Sequence, residues 1–544
     1  MMELDAFRSS SSSSSEEEEE ENLSQHLQHK RTKQQQQKHH DQEEASFTDL
    51  EVDDFDDGNS PRSSSPLARE PLYFNSDRGC FSAWRHMVNE PPFSIPCTQH
   101  SSTSKNKKPT QTNPQRTCVL ISLSVFLLTV LVIAVAGWRV ATRDSDDDGP
   151  STPSSNATTV ILISLDGFRA EYLRRAEATS PTLHTLMKGG VYADGLIPCF
   201  PTKTFPNHYS IVTGLYPESH GIVANRFFDP SLNATFSLGD ADSMTNGRWW
   251  GGEPIWITAE MQNVVAATMF WPGSEVEIKE KRPSYYKAYD AYFPFSQRIE
   301  QVLEWLSLSE QQRPSLVTLY LERVDWMGHE HGPDSDEVAA AILEVDGYIG
   351  DLLDGLRELG LEETTDIIVV SDHGMTSVSN DRVIDISSAI AANGGNTKVV
   401  DSTPIMGLFP ASPQTTEALL DVLVGVHPNI TIFRKEEMPE ELHYSSNDRI
   451  PPLVGIADLG WSIRTPKNKD EIFTGGTHGY LNTHEDMFGI FVARGPHFQS
   501  GGLRVDAFEN IHLYNMLAEI LNLEPAPNNG TLSQVSQLLR QSHR

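Results

Sequence analysis

Thr204 stands in the middle of the stretch Pro201-Thr-Lys-Thr-Phe-Pro-Asn-His208, and Asn225 follows a little downstream. A threonine hydroxyl is almost wholly protonated at neutral pH, so it attacks phosphorus only where a base or a cation favours its alkoxide. Asp166, Asp325 with His329, Asp372 with His373, and His478 offer oxygen and nitrogen ligands for such a cation. A donor set without thiolate suits zinc in a catalytic rather than a structural role. Asp325 and His329 are spaced to share one side of a helical turn. Three carboxylates and an alkoxide carry four negative charges, which two divalent ions neutralise and one does not. Two such ions about 3.5–4 Å apart would hold the attacking and leaving oxygens of an in-line displacement. Asn225, a neutral amide donor, suits a singly charged phosphodiester better than a monoester dianion, which would call for a cationic clamp.

The elements that must position these residues are apolar runs of strand length. Residues 159–165 form an unbroken run ending at Asp166; 316–321 precede Asp325, 366–370 precede Asp372-His373, and 488–492 follow His478. Continuous runs of this kind fit parallel strands buried on both faces. Helical patterns at 296–306 and 337–359 lie between them, which predicts an α/β sheet with helices on both faces and ligands at the carboxyl ends of its strands. Residues 381–470 carry weaker periodicity and several prolines and are expected to form a smaller inserted lobe; 510–523 read as a closing amphipathic helix and 532–539 as a second helix.

The preceding quarter of the chain is of another kind. Residues 1–117 contain serine, glutamate and glutamine runs and too few apolar clusters to offset their ordering entropy, so they are expected to be disordered and cytoplasmic. Residues 118–138 carry no charge over a length that crosses a bilayer core, and 139–157 read as a flexible stem. Lys105, Lys107, Lys108 and Arg116 precede the apolar run against Arg139 and Arg143 after it, a bias that keeps the amino terminus in the cytosol and places residues 158–544 in the lumen or outside, as in a type II membrane protein with a signal anchor. Four sequons, at Asn156, Asn233, Asn429 and Asn529, fall on that side and mark a glycoprotein. Of the four cysteines only Cys199 follows the span, so the catalytic part needs no internal disulfide. The net charge of -33, with no basic stripe to offset it, argues against nucleic acid polymers as partners. Lys203 and Arg226 flank the key residues and read equally as rim groups for distal phosphates or as solvated charges; His331 points elsewhere on its turn, behind the ligands or on the surface, and His208, His220 and His484 read as structural hydrogen-bonders.

Asp166-Gly-Phe-Arg169, Lys203-Thr-Phe-Pro-Asn-His208, Gly214-Leu-Tyr-Pro-Glu-Ser-His-Gly-Ile222, Ser371-Asp-His-Gly-Met375 and Gly476-Thr-His-Gly479 together resemble the nucleotide pyrophosphatase/phosphodiesterase family of the alkaline phosphatase superfamily. The resemblance spans residues 158–522, and the wording of 324–329 is similar to that of short plant members. It implies two zinc ions: Asp166, Thr204, Asp372 and His373 on one, Asp325, His329 and His478 on the other. It further implies that Asn225 donates to a non-bridging phosphate oxygen, that Phe205 and Tyr289 sandwich a nucleobase, and that Trp271 and Tyr320 line the pocket. The expected activity is zinc-dependent hydrolysis of nucleotide pyrophosphate and phosphodiester bonds through a threonine-nucleotidyl intermediate, with nucleoside triphosphates, dinucleotides and nucleotide sugars as candidate substrates and no obligate protein partner. Two alternatives stand beside it: a phospholipid or choline-ester phosphodiesterase of the same fold, since aromatic rings also cage choline, and a catalytically silent glycoprotein that only binds.

Overall fold

A computed structural model describes residues 158–175, 177–393 and 395–540. The expected cytoplasmic segment, membrane span at 118–138 and stem lie outside them, as does Asn156. Among the described residues no helix is long and apolar enough to cross a membrane.

An eight-stranded sheet runs in the order Leu503–Val505, Val191–Ala193, Phe491–Arg494, Thr365–Val370, Thr159–Leu165, Leu316–Leu321, Ala266–Met269, Tyr285–Lys287. Thr159–Leu165 sits at its centre and pairs in parallel with both neighbours. Every residue of this strand is buried, and its side chains alternate between two cores. Val160 and Leu162 pack on one face with Tyr209 and Val212 of the helix Thr204–Thr213 and with Leu513 and Leu517 of the closing helix Leu513–Ile520. Ile161, Ile163 and Leu165 pack on the other with Ile299 and Val302 of the helix Phe295–Leu306 and with Ile342, Val345 and Ile349 of the helix Asp336–Glu358. A two-residue period buried on both sides is why the run carries no polar alternation. Helices on both faces, as expected, follow from that double burial.

The sheet is mixed rather than wholly parallel. Phe491–Arg494, within and just after the run expected to be one more strand of the parallel kind, is antiparallel to both Thr365–Val370 and Val191–Ala193. Burial on both faces makes a strand apolar whichever way it runs, so composition carries no direction.

The expected lobe is present as a second sheet, antiparallel in the order Lys398–Asp401, Ile405–Phe409, Leu453–Ala457, Ile430–Arg434, with its own core around Met406, Leu408, Leu419 and Leu423. Lys203, buried next to Thr204 in the chain, forms an ion pair with Asp401 of this lobe. It is therefore neither a solvated charge nor a free rim cation. The helix expected over 532–539 is two short 3-10 turns, Leu532–Gln534 and Ser536–Leu538.

Candidate metal centre

Three adjacent parallel strands deliver the three carboxylates. Asp166 follows Thr159–Leu165 directly, Asp372 stands just beyond Thr365–Val370, and Asp325 lies in the first turn of the helix Arg323–His331 that leaves Leu316–Leu321. Neighbouring strands lie about 4.8 Å apart, so residues at their shared carboxyl edge converge without any contribution from loops. His329 sits one turn after Asp325, and its Nε2 is 3.4 Å from Asp325 Oδ2. His373 Nε2 lies 3.0 Å from Asp372 Oδ2 and 3.5 Å from Asp166 Oδ1, and Thr204 Oγ1 is 3.3 Å from the same nitrogen. His478 follows the short strand Gly476–Thr477, outside the central sheet, and brings Nε2 to 3.8 Å from Asp325 Oδ1. The ring of His478 stacks on that of His373, with centroids 3.5 Å apart.

The histidine tautomers follow from their backbone partners. Nδ1 of His329, His373 and His478 lies 3.0, 2.9 and 2.9 Å from the carbonyls of Gly476, Gly374 and Thr202 respectively. A carbonyl only accepts, so each Nδ1 carries the proton and each Nε2 presents a lone pair to the cluster. His208 differs. Its Nδ1 donates to the Thr204 carbonyl at 2.9 Å, and its Nε2 takes the Ser164 hydroxyl at 2.8 Å, so both nitrogens are occupied although the ring lies 3.2 Å from Asp372. His220 is likewise engaged, by Ser210 and the Ile222 amide.

The carboxylates are built for cations. Asp166 Oδ1, Asp325 Oδ1 and Asp372 Oδ2 are buried and accept no hydrogen bond. Burial, and after it the charges of Asp372 and Asp325, pushes the Asp166 carboxyl well above its ordinary range; burial and Asp325 do the same to Asp372, and Asp325 is raised mainly by burial. Burial holds His373 and His478 well below the usual imidazole value, which keeps them neutral and able to ligate. A tetrahedral ion with bonds of about 2.0–2.1 Å sets its ligand atoms about 3.3–3.4 Å apart. The separations of 3.0 to 3.8 Å fit that figure. Asp325, His329 and His478 form one such group, and Asp166, Asp325 and His373 form another whose ligand atoms also lie within 4.8 Å of one another.

Thr204 opens the helix Thr204–Thr213 at its positive end; in that first turn the Phe205 amide donates to Asn225 Oδ1, the Asn207 amide donates to the Lys203 carbonyl at 3.2 Å, and Pro206 has no N–H. The loop before it is held by Asn207, whose side chain bonds Cys199, Pro201, Lys203 and Asn510. Asn225 accepts from the Phe205 amide at 2.9 Å through Oδ1, which leaves its Nδ2 as a donor next to Thr204.

Residues 160–481 match the model of the type I phosphodiesterase/nucleotide pyrophosphatase family. The chain belongs to that family. It is 42% identical over 411 residues to ectonucleotide pyrophosphatase/phosphodiesterase family member 1 of Mus musculus, covering 74% of this chain and 45% of that one. It is 40% identical over 389 residues to a venom phosphodiesterase of Macrovipera lebetinus, covering 70% and 45%. The chain spans about half the length of the curated relatives it matches. Murine ectonucleotide pyrophosphatase/phosphodiesterase 5 superposes with a TM-score of 0.67 at 38% identity over 70% of this chain and all of that one, and so does its inactive threonine-to-alanine variant in complex with AMP.

Within this family member, the residues expected to line the pocket separate into two kinds. Phe205 is half-buried, packed at 6.1 Å from Phe236 and Trp250, and Tyr289 is 46% exposed. Trp271 is instead buried, its indole donating to the His208 carbonyl at 3.0 Å, and Tyr320 is buried with its hydroxyl donating to Asp166 Oδ2. These two rings stand behind the ligands rather than presenting an open face.

Sequence reasoning passed over Arg169. This buried guanidinium bonds the Met375 carbonyl at 3.2 Å and Asp334 at 3.0 Å, joining the loops that follow Asp166, His373 and His329. Its place in the Asp166-Gly-Phe-Arg169 motif was the available signal.

Proposed function

We propose that the chain hydrolyses phosphodiester and pyrophosphate bonds of nucleotides, with Thr204 as nucleophile and nucleoside 5'-monophosphate as product. The observation that carries the reading is the convergence of three partnerless carboxylate oxygens and three imidazole lone pairs, with His373 of that set 3.3 Å from the Thr204 hydroxyl. Asp166, Asp372 and His373 would hold one zinc ion together with Thr204, and Asp325, His329 and His478 a second. Bound there, the pair supplies positive charge that favours the threonine alkoxide and accepts charge developing on the leaving oxygen.

The rest is the work of this chain's own atoms. Thr204 Oγ1 bonds to phosphorus as the bond to the leaving oxygen breaks, giving a threonine-nucleotidyl ester. Asn225 Nδ2 donates to a non-bridging oxygen, whose charge grows along the reaction, and the positive end of the Thr204–Thr213 helix favours that charge. Water then attacks the same phosphorus and Thr204 departs, which returns the hydroxyl. Phe205 and Tyr289 offer flat faces to a base, and every base has a π-face, so the site would tolerate several nucleotides. The AMP complex of murine ectonucleotide pyrophosphatase/phosphodiesterase 5 supports a nucleotide as occupant. The same reading keeps the catalytic part lumenal or extracellular behind a single membrane span at 118–138.

Thr204→Ala tests the assignment. The variant should fold and retain zinc to within a small factor, yet lose at least about 10³-fold in turnover of a dinucleotide followed by nucleoside monophosphate release, since the attacking oxygen is removed. Residual turnover above a tenth of wild type would remove Thr204 from this role.

A further inference from the structure

Beside the metal centre lies a charged pair that the chemistry above does not use. Arg298 and Glu322 are both fully buried and meet face to face, with Nη1 to Oε2 at 2.5 Å and Nη2 to Oε1 at 2.8 Å. Arg298 also donates to the carbonyls of Tyr320 at 2.9 Å and Phe293 at 3.2 Å. Pairs of this kind seldom add stability over well-packed apolar side chains of equal volume; where they persist, fixing a unique arrangement is the better-attested role.

What this pair fixes can be read from its remaining partner. Tyr289 donates its hydroxyl to Glu322 Oε1 at 3.1 Å while the residue as a whole remains 46% exposed. Phe270 supports the same ring edge-on at 5.5 Å and is itself covered by the Arg298 guanidinium at 4.8 Å. Phe270 adopts φ of +64°, a strained conformation for a bulky residue, which persists where the surroundings over-determine it. The Tyr289 ring is 6.5 Å from that of Tyr320, whose hydroxyl is on Asp166, and Glu322 stands one turn before Asp325. An exposed aromatic face at the edge of the ligand cluster is thus tied at its polar tip to a buried ionic anchor.

We propose that the Arg298–Glu322 pair is a positioning device that aims the Tyr289 ring at the base of the substrate, so that Glu322 sets base-dependent specificity without touching substrate. The inference rests on the reading of Tyr289 as a substrate-lining residue. It predicts coupling between Glu322 and Tyr289 in the affinity for the base.

The test compares two esters with the same leaving group on zinc-loaded protein: p-nitrophenyl thymidine 5'-phosphate, which carries a base, and p-nitrophenyl methyl phosphate, which does not. Tyr289→Phe removes one hydroxyl from an exposed side chain and leaves the ring. It should lower the ratio of kcat/KM for the two esters about tenfold, chiefly through KM of the nucleoside ester, because a hydrogen bond to a charged group contributes on this scale. Glu322→Gln should act in the same direction, and the double variant should fall no further than the worse single variant, because both act through one bond. An unchanged ratio in Tyr289→Phe overturns the proposal even if Glu322→Gln fails to fold, and effects that multiply in the double variant overturn it as well. Wild-type protein that hydrolyses neither ester overturns the functional reading and this inference with it; hydrolysis of both with an unchanged ratio overturns this inference alone.

Discussion

Gly167→Ala is the smallest change that should disable the site while leaving the fold. Gly167 follows Asp166 at φ of +66°, a region where an alanine pays roughly 1–2 kcal/mol. The added methyl would also stand 2.8 Å from Asp325 Oδ1 and 2.9 Å from the Asp325 Cα and Cβ. Ordinary contact begins near 3.4 Å, and two of these atoms belong to the anchored base of the residue, so Asp325 has to retreat by about half an ångström. Ligand geometry in a working site is held to about 0.5 Å, and a misplacement of about 1 Å costs on the order of 10² in rate. The expected result is a loss of about 10- to 100-fold in kcat/KM for a dinucleotide, with weaker zinc retention in graded zinc buffers and unfolding free energy reduced by no more than about 3 kcal/mol. Steady-state kinetics paired with denaturant unfolding checks both parts. Activity within twofold of wild type would refute the argument, since it would mean that the Asp325 position does not matter to turnover.

Chelation should abolish hydrolysis and lower Tm by several degrees, with zinc restoring both; a ligand at a hundredfold excess over its Kd contributes about 2.7 kcal/mol per site, and chelated protein that keeps its Tm and turnover would count against the metal centre. A pH effect is expected far from the site. His497 bonds the fully buried Asp366 at 2.7 Å, and that bond raises the imidazole above its ordinary value. A raised folded-state value means that the folded chain holds this proton more tightly, so the contribution is fully present below about pH 6.5 and is lost as pH rises through the folded-state value. Denaturation midpoints of wild type and His497→Gln should therefore converge as pH rises above about 6.5; a constant gap would exclude the proton as the cause.

The convergence of the proposed ligands was legible in the amino-acid order because most of them follow an element with a strong local signature. Asp166 comes directly after, and Asp325 and the Asp372-His373 pair come shortly after, mainly apolar runs too short for helices, a pattern set by burial on both faces of a central sheet. The one-turn spacing of Asp325 and His329 is likewise a local property of the helix that carries them. Strand direction was not legible: Phe491–Arg494 runs against its neighbours, yet its burial asks for the same residues either way.

Sequence alone therefore singled out the residues proposed to bear the chemistry, and the tertiary structure decided what each one faces. His208 is a histidine one helical turn after Thr204, and only folding brings the Ser164 hydroxyl and the Thr204 carbonyl to its two nitrogens. Tyr320 and Trp271 are aromatic residues near the pocket, and only packing turns them inward against Asp166 and the His208 carbonyl. Arg298 and Glu322 are two charges among many in the chain until the fold buries them together. Local sequence encodes periodicity and turn spacing, whereas hydrogen-bond partners and burial arise between segments far apart in the chain, where no short-range pattern records them.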